Sequence, residues 1–214
     1  MCWNAEVSLN TFLFSGFVLA LIIYNNLFTK YKIQELNNTW IYLFIASFVF
    51  MQLIEFFIWR NINNKYYNHI FSISAAVLLT IQPIASLMIM TIQPLRNMLL
   101  LLYSFLAFPY LIYKLSTKRF YSSISKNGHL EWHFVEATPL VWIIWLFFFL
   151  FGFVYRYRKS WKTALFVIVT LLISIFNYKN DNTIGSMWCW IVNSVMIYYA
   201  AILLLYLPFR EKIK

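Results

Sequence analysis

Long apolar runs separated by short, mostly basic breaks set the rhythm of this chain. They predict membrane-crossing helices over 10–28, 39–59, 69–92, 94–113, 138–155, 163–176 and 183–206. A run of about 20 apolar residues rising about 1.5 Å each matches a hydrocarbon layer roughly 30 Å thick. The run at 163–176 is the shortest of the seven. Gln93-Pro94 turns the chain after the third run, and Pro139 suits the first turn of the fifth helix. The longest polar stretch, 115–137, reads as an outer loop whose Trp132 and Phe134 dip into the headgroups. The expected architecture is therefore all-α: a polytopic bundle of about seven spans forming a single transmembrane domain over 1–214.

Composition supports helices over a barrel. The chain is 62% hydrophobic and 11% charged, too apolar for one water-soluble core of this length. It has only 4 Gly and 5 Pro and lacks the alternating pattern of barrel strands. The formal charge of +10 sits in clusters between apolar runs, where membrane lipids and not nucleic acid are the expected partner. Loops one, three and five with the C-terminus carry 10 of the 17 Lys and Arg, against 7 on the opposite face. The expected orientation is N-terminus outside and C-terminus cytoplasmic. The start, Met1-Cys2-Trp3-Asn4-Ala5-Glu6, lacks a basic leader, so the first helix is expected to be retained. Spans one to three and five to seven show no clear internal repeat.

Polar groups inside apolar runs need a partner or a purpose, since an ionised side chain in hydrocarbon costs roughly 2.5–3.5 kcal/mol. Glu55 is the carboxylate that qualifies, with Gln52 one turn earlier on the same helical face. It is expected to face protein, either as a structural carboxyl or as a proton or cation site. Gln82-Pro83 interrupts the third helix, because Pro supplies no N–H and frees a carbonyl one turn back. Asn193 in the last span can bond across helices, as glue or as part of a site.

The long loop holds Gly128-His129-Leu130-Glu131-Trp132-His133-Phe134-Val135-Glu136. On a helix His129, His133 and Glu136 would share a face able to hold zinc; in an extended segment His129, Glu131 and His133 would share a side instead. Cys2 and Cys189, each beside tryptophan, are placed toward the outer side as a disulfide or as two separate thiols. With an odd number of crossings, Trp3, Glu55, the two histidines, Trp188, Cys189 and Trp190 all fall at one end of the bundle.

Met1-Cys2-Trp3 with Ala5 and Ser8, an acidic residue in the second span (Glu55), Gln82-Pro83 in the third, Trp132-His133 in the long loop and Trp188-Cys189 opening the last span carry a resemblance. The chain resembles an uncharacterised family of small polytopic membrane proteins from large DNA viruses, protists and bacteria. Asn4 stands where that family has Ser. The resemblance implies topology and the location of a site, with no activity attached; in a viral member the membrane would be that of host or virion.

Several functions are set aside on chemistry. A retinal protein needs a lysine in the last helix, and 183–206 has none. Four scattered glycines make no phosphate-binding loop. The leading expectation is a small-molecule or ion transporter or binding protein. Its cavity would open at the outer end and be lined by Glu55, Gln52, Gln82, Asn193, Trp3, Trp188 and Trp190. The alternatives are a metal-dependent hydrolase of lipids and a structural membrane protein.

Overall fold

The computed structural model describes residues 4–117, 120–155 and 157–210. Its helices are α1 (Ala5–Phe28), α2 (Thr39–Arg60), α3 (Lys65–Leu87), α4 (Gln93–Thr117), α5 (Pro139–Tyr155), α6 (Tyr157–Tyr178), α7 (Ile184–Asn193), α8 (Val195–Ala201) and α9 (Leu207–Arg210). A π-helical turn, Ile202–Tyr206, joins α8 to α9. Among the described residues six helical stretches are long and apolar enough to cross a membrane, with α7 through the π turn counted as one, and α5 is a shorter apolar helix. Three starts share one device: the side chains of Asn4, Asn38 and Asn64 accept first-turn N–H groups of α1, α2 and α3.

The helices depart from the hydrophobic runs at their ends. Helix α6 begins at Tyr157 and outruns the apolar stretch 163–176, while α5, at 17 residues, is the shorter apolar helix. Lys and Arg are good helix formers, and the backbone stays helical after the apolar pattern stops. Helix α3 begins four residues before the predicted 69 and stops at Leu87, five short of 92. There Ile89 N–H donates to the Ser86 carbonyl and Met90 N–H to that of Leu87, tight turns that end the helix while Ile89 and Met90 stay buried.

Helix α3 is the post of the bundle, packing against α2, α4 and α5. Pro83 removes the N–H that would have satisfied the Leu79 carbonyl. Trp145 Nε1 of α5 donates to that carbonyl at 2.9 Å, and the Tyr103 hydroxyl of α4 donates to the Thr80 carbonyl at 2.8 Å. The Leu79 and Thr80 carbonyls are thus bonded by two neighbouring helices, while the Gln82 amide is buried beside Pro83 with no hydrogen-bond partner among the described residues. Further along, Gly152 lets α5 lie against the α3 backbone: a Cβ there would sit 2.0 Å from the Ser86 carbonyl oxygen. Phe44, Phe48, Phe149, Phe153 and Trp188 fill the centre with tilted and edge-on rings at centroid distances of 4.7–6.3 Å. Outward residues are apolar as well, Leu101 and Phe105 of α4 being 74% exposed, as a lipid-facing surface requires.

The Gly152 contact generates a graded prediction. Gly152→Ala is expected to lower thermal stability in detergent by about 1–3 kcal/mol or to prevent folding, through overpacking of α3 on α5. Gly16→Ala, whose Cβ meets Val49 at an ordinary 3.7 Å, is expected to be neutral. Equal melting temperatures for the two variants would contradict this packing.

Candidate functional site

The loop between α4 and α5 folds into a two-stranded antiparallel hairpin, β1 (Ser122–Ile124) and β2 (Leu130–Trp132), with Ser123 opposite Glu131. Its turn is built by Ser125 to Gly128: the Gly128 N–H donates to the Ser125 carbonyl and Gly128 takes φ +79°, a conformation suited to glycine. Asn127 accepts the His129 N–H. Strand alternation sends Leu130 and Trp132 inward, both buried, and leaves Glu131 at the rim. Trp132 and Phe134 are stacked on each other in the interior, with Phe120 against Phe134, so neither is the headgroup anchor expected from sequence.

Side chains from both flanks hold this hairpin down. Asn68 of α3 mimics a strand: its Nδ2 donates to the Ser122 carbonyl and its Oδ1 accepts the Ser122 N–H, each at 2.9 Å. His69 Nδ1 lies 2.8 Å from the Phe120 carbonyl, and the Ser72 and Ser122 hydroxyls are 3.0 Å apart. On the opposite flank the Ser125 hydroxyl donates to the Asp181 carbonyl, Asn127 to Thr183 Oγ1, and the Ser186 hydroxyl to the Leu130 carbonyl. Gly185 of α7 makes room for the Trp132 ring, which a Cβ would approach to 2.9 Å.

Two adjoining chambers lie beneath the hairpin. One, about 280 Å³, is enclosed by α3, α4 and α5 and lined by Leu79, Ala107, Tyr110, Lys114 and Phe134 among others. The other, about 460 Å³, lies between α5, α6 and α7 and reaches Glu131, Glu136, Leu171 and Trp188. Trp142 and Trp145 of α5 line both. Lys114, buried at the end of α4, donates from Nζ to the Glu136 carbonyl at 2.6 Å and so holds the rim between them.

At that rim Ser123, His133 and Glu136 form a chain. Ser123 Oγ is 2.8 Å from His133 Nε2, and His133 Nδ1 is 3.0 Å from Glu136 Oε1. Tyr121 stacks on the imidazole at 4.3 Å, and Glu131 Oε2 lies 3.7 Å from Nε2.

The predicted site residues divide into separate groups. The segment 129–136 is a strand followed by a 3₁₀ turn, His133–Val135, so the helical face expected for His129, His133 and Glu136 is not built. His133 keeps Glu131 and Glu136, whereas His129 turns edge-on to Tyr178, where burial holds its imidazole below the ordinary value. Among the described residues no three His, Cys, Asp or Glu side chains form a group able to hold a metal. Glu55 and Gln52 are fully buried, Gln52 Nε2 donating to Glu55 Oε2 at 2.8 Å, with Cys189 within electrostatic reach of Glu55. Gln82 does not join them: at about 1.5 Å per residue it lies about 25 Å along α3, while Glu55 lies about 8 Å from the matching end of α2. Neither chamber is lined by Glu55, Gln52 or Gln82. Asn193 bonds to the Phe48 carbonyl and Trp190 to Thr11 Oγ1, both as interhelical ties, and Trp188 lines the larger chamber. Cys189 is a free, buried thiol; Cys2 and Trp3 lie outside the described residues.

Sequence reasoning missed Ser123, Asn68, His69 and Lys114. The available signal was Asn127-Gly128 between two short alternating segments, a hairpin mark.

Asn68→Ala is expected to cost about 1–3 kcal/mol by stranding both Ser122 backbone groups. Amide hydrogen exchange over 120–132 would speed up while α2 stays protected; unchanged exchange there would show that Asn68 does not hold the hairpin. Compared with family models, with curated proteins and with solved structures, the chain matches none of them.

Proposed function

We propose that this is a multi-pass membrane protein that binds a lipid-class small molecule in the paired chambers beneath the hairpin, at the extracytoplasmic end. The observation that carries the reading is the chamber pair itself: about 280 and 460 Å³, walled by aliphatic and aromatic side chains, with charged residues confined to the hairpin rim. Such a distribution suits an amphiphile whose chain lies among Leu79, Trp142 and Trp145 and whose polar end meets Lys114, Glu131 or Glu136. Leu106, part of the smaller chamber's α4 wall, is 42% exposed on the outward face, which supports access from surrounding lipid. The orientation follows the basic residues, 10 of which lie opposite the hairpin end and 7 beside it.

Glu55 takes a packing role in this reading. It is fully buried, bonded to Gln52 of its own helix, and lines neither chamber. That favours binding over ion conduction.

Filling the chambers tests the reading. Purified protein is expected to retain an oleoyl lipid adduct in native mass spectrometry, and Ala107→Trp combined with Leu171→Trp is expected to weaken it about 10-fold or more, a loss of about 1.4 kcal/mol. Full adduct retention in a folded double variant would refute the chambers as the binding site.

A further inference from the structure

The Ser123, His133 and Glu136 chain runs from the hairpin rim outward to a carboxylate that is 62% exposed. An ionised carboxylate only accepts, so Glu136 Oε1 at 3.0 Å from Nδ1 selects the tautomer with its proton on Nδ1. Nε2 is then the acceptor, and the Ser123 hydroxyl donates to it at 2.8 Å. The order is nucleophile, base, orienting acid, the arrangement that activates a serine. Tyr121 stacks on the imidazole plane from one side, and the Glu131 carboxylate lies 3.7 Å from Nε2. The backbone under the acid is held as well, since Lys114 Nζ grips the Glu136 carbonyl. The His133 side chain is 17% exposed, reachable but not fully solvated. Glu131 and Glu136 also line the larger apolar chamber, so the relay stands where a bound chain's polar end would emerge.

From this geometry we infer that Ser123 is the nucleophile of an acyl-ester hydrolase acting on a lipid held in the chambers; the substrate class rests on the lipid-binding reading above. Ser123 Oγ attacks the ester carbonyl and its proton passes to His133 Nε2. The tetrahedral intermediate collapses as the alcohol leaves, taking that proton, and the acyl group remains on Ser123. Water then gives a proton to Nε2 and its oxygen to the acyl carbon, releasing the carboxylic acid and restoring the hydroxyl. Ester and water enter, and acid and alcohol leave, with no change of oxidation state. His133 is the general base, and Glu136 acts through it as a positioning residue.

The test uses the full chain in detergent micelles. A fluorophosphonate probe is expected to modify Ser123, located by peptide mapping, and the protein is expected to hydrolyse the p-nitrophenyl ester of a long-chain fatty acid faster than that of acetate. Ser123→Ala should abolish labelling and reduce turnover roughly 10³-fold, His133→Gln similarly, and Glu136→Gln by a smaller factor with a shifted pH profile. Because Ser123→Ala removes one partly exposed hydroxyl, oleoyl-lipid retention in native mass spectrometry is expected to persist and report its fold. Wild-type protein that retains the lipid yet leaves Ser123 unlabelled would overturn the hydrolase and spare the binding reading. Labelled Ser123 in protein that retains no lipid and shows no preference for the long chain would overturn the lipid substrate.

Discussion

The Leu79 carbonyl is the point on which the bundle turns. In a medium without water a freed backbone carbonyl must find a donor from its own protein, and Pro83 creates one in the C-terminal third of α3. Trp145 supplies the donor from α5, and Tyr103 supplies one for Thr80 from α4. Those bonds fix where α4 and α5 stand around α3. They also place the Trp145 indole as a partition, with one chamber on each face of α5. Gly152 completes the attachment by bringing the α5 backbone against Ser86, while the Phe149 and Phe153 rings of α5 pack against Phe44 of α2.

Polar interactions concentrate at the hairpin end, and they do two jobs. Asn68, His69 and Ser72 on one flank, with Asp181, Thr183 and Ser186 on the other, tie the hairpin across the bundle. Beneath it Trp132 and Phe134 form the roof of the chambers. Above it, at the rim, the same strands present Ser123 and lead into His133 and Glu136. One small hairpin therefore borders both apolar chambers and carries the Ser123–His133 pair at their edge. Lys114 links the two functions, lining the smaller chamber while holding the Glu136 backbone.

Within the spans, polar side chains act mainly as ties. Asn193 reaches the Phe48 carbonyl, Trp190 reaches Thr11 and Trp188 reaches Thr170, joining α7 to α2, α1 and α6. Bonds of this kind are worth about 0.6–2 kcal/mol each in a membrane bundle, enough together to choose helix neighbours where hydrophobicity cannot. Glu55 and Gln52 share one hydrogen bond on a single helix face, both fully buried.

The sequence by itself determined the number and approximate limits of the apolar helices, because hydrocarbon thickness and backbone satisfaction leave no other regular solution. It also determined the freed carbonyl before Pro83, since a missing N–H follows from local covalent structure. Tertiary structure alone decided which donor took that carbonyl, that Gln82 lies far from Glu55, and that 122–132 pairs as strands held by Asn68. It alone brought Ser123 to His133 and opened the chambers on either side of Trp145. The physical reason is range: helix formation and burial depth are written in spacings of a few residues, whereas a cavity or a hydrogen bond between elements depends on neighbours that the linear pattern does not specify.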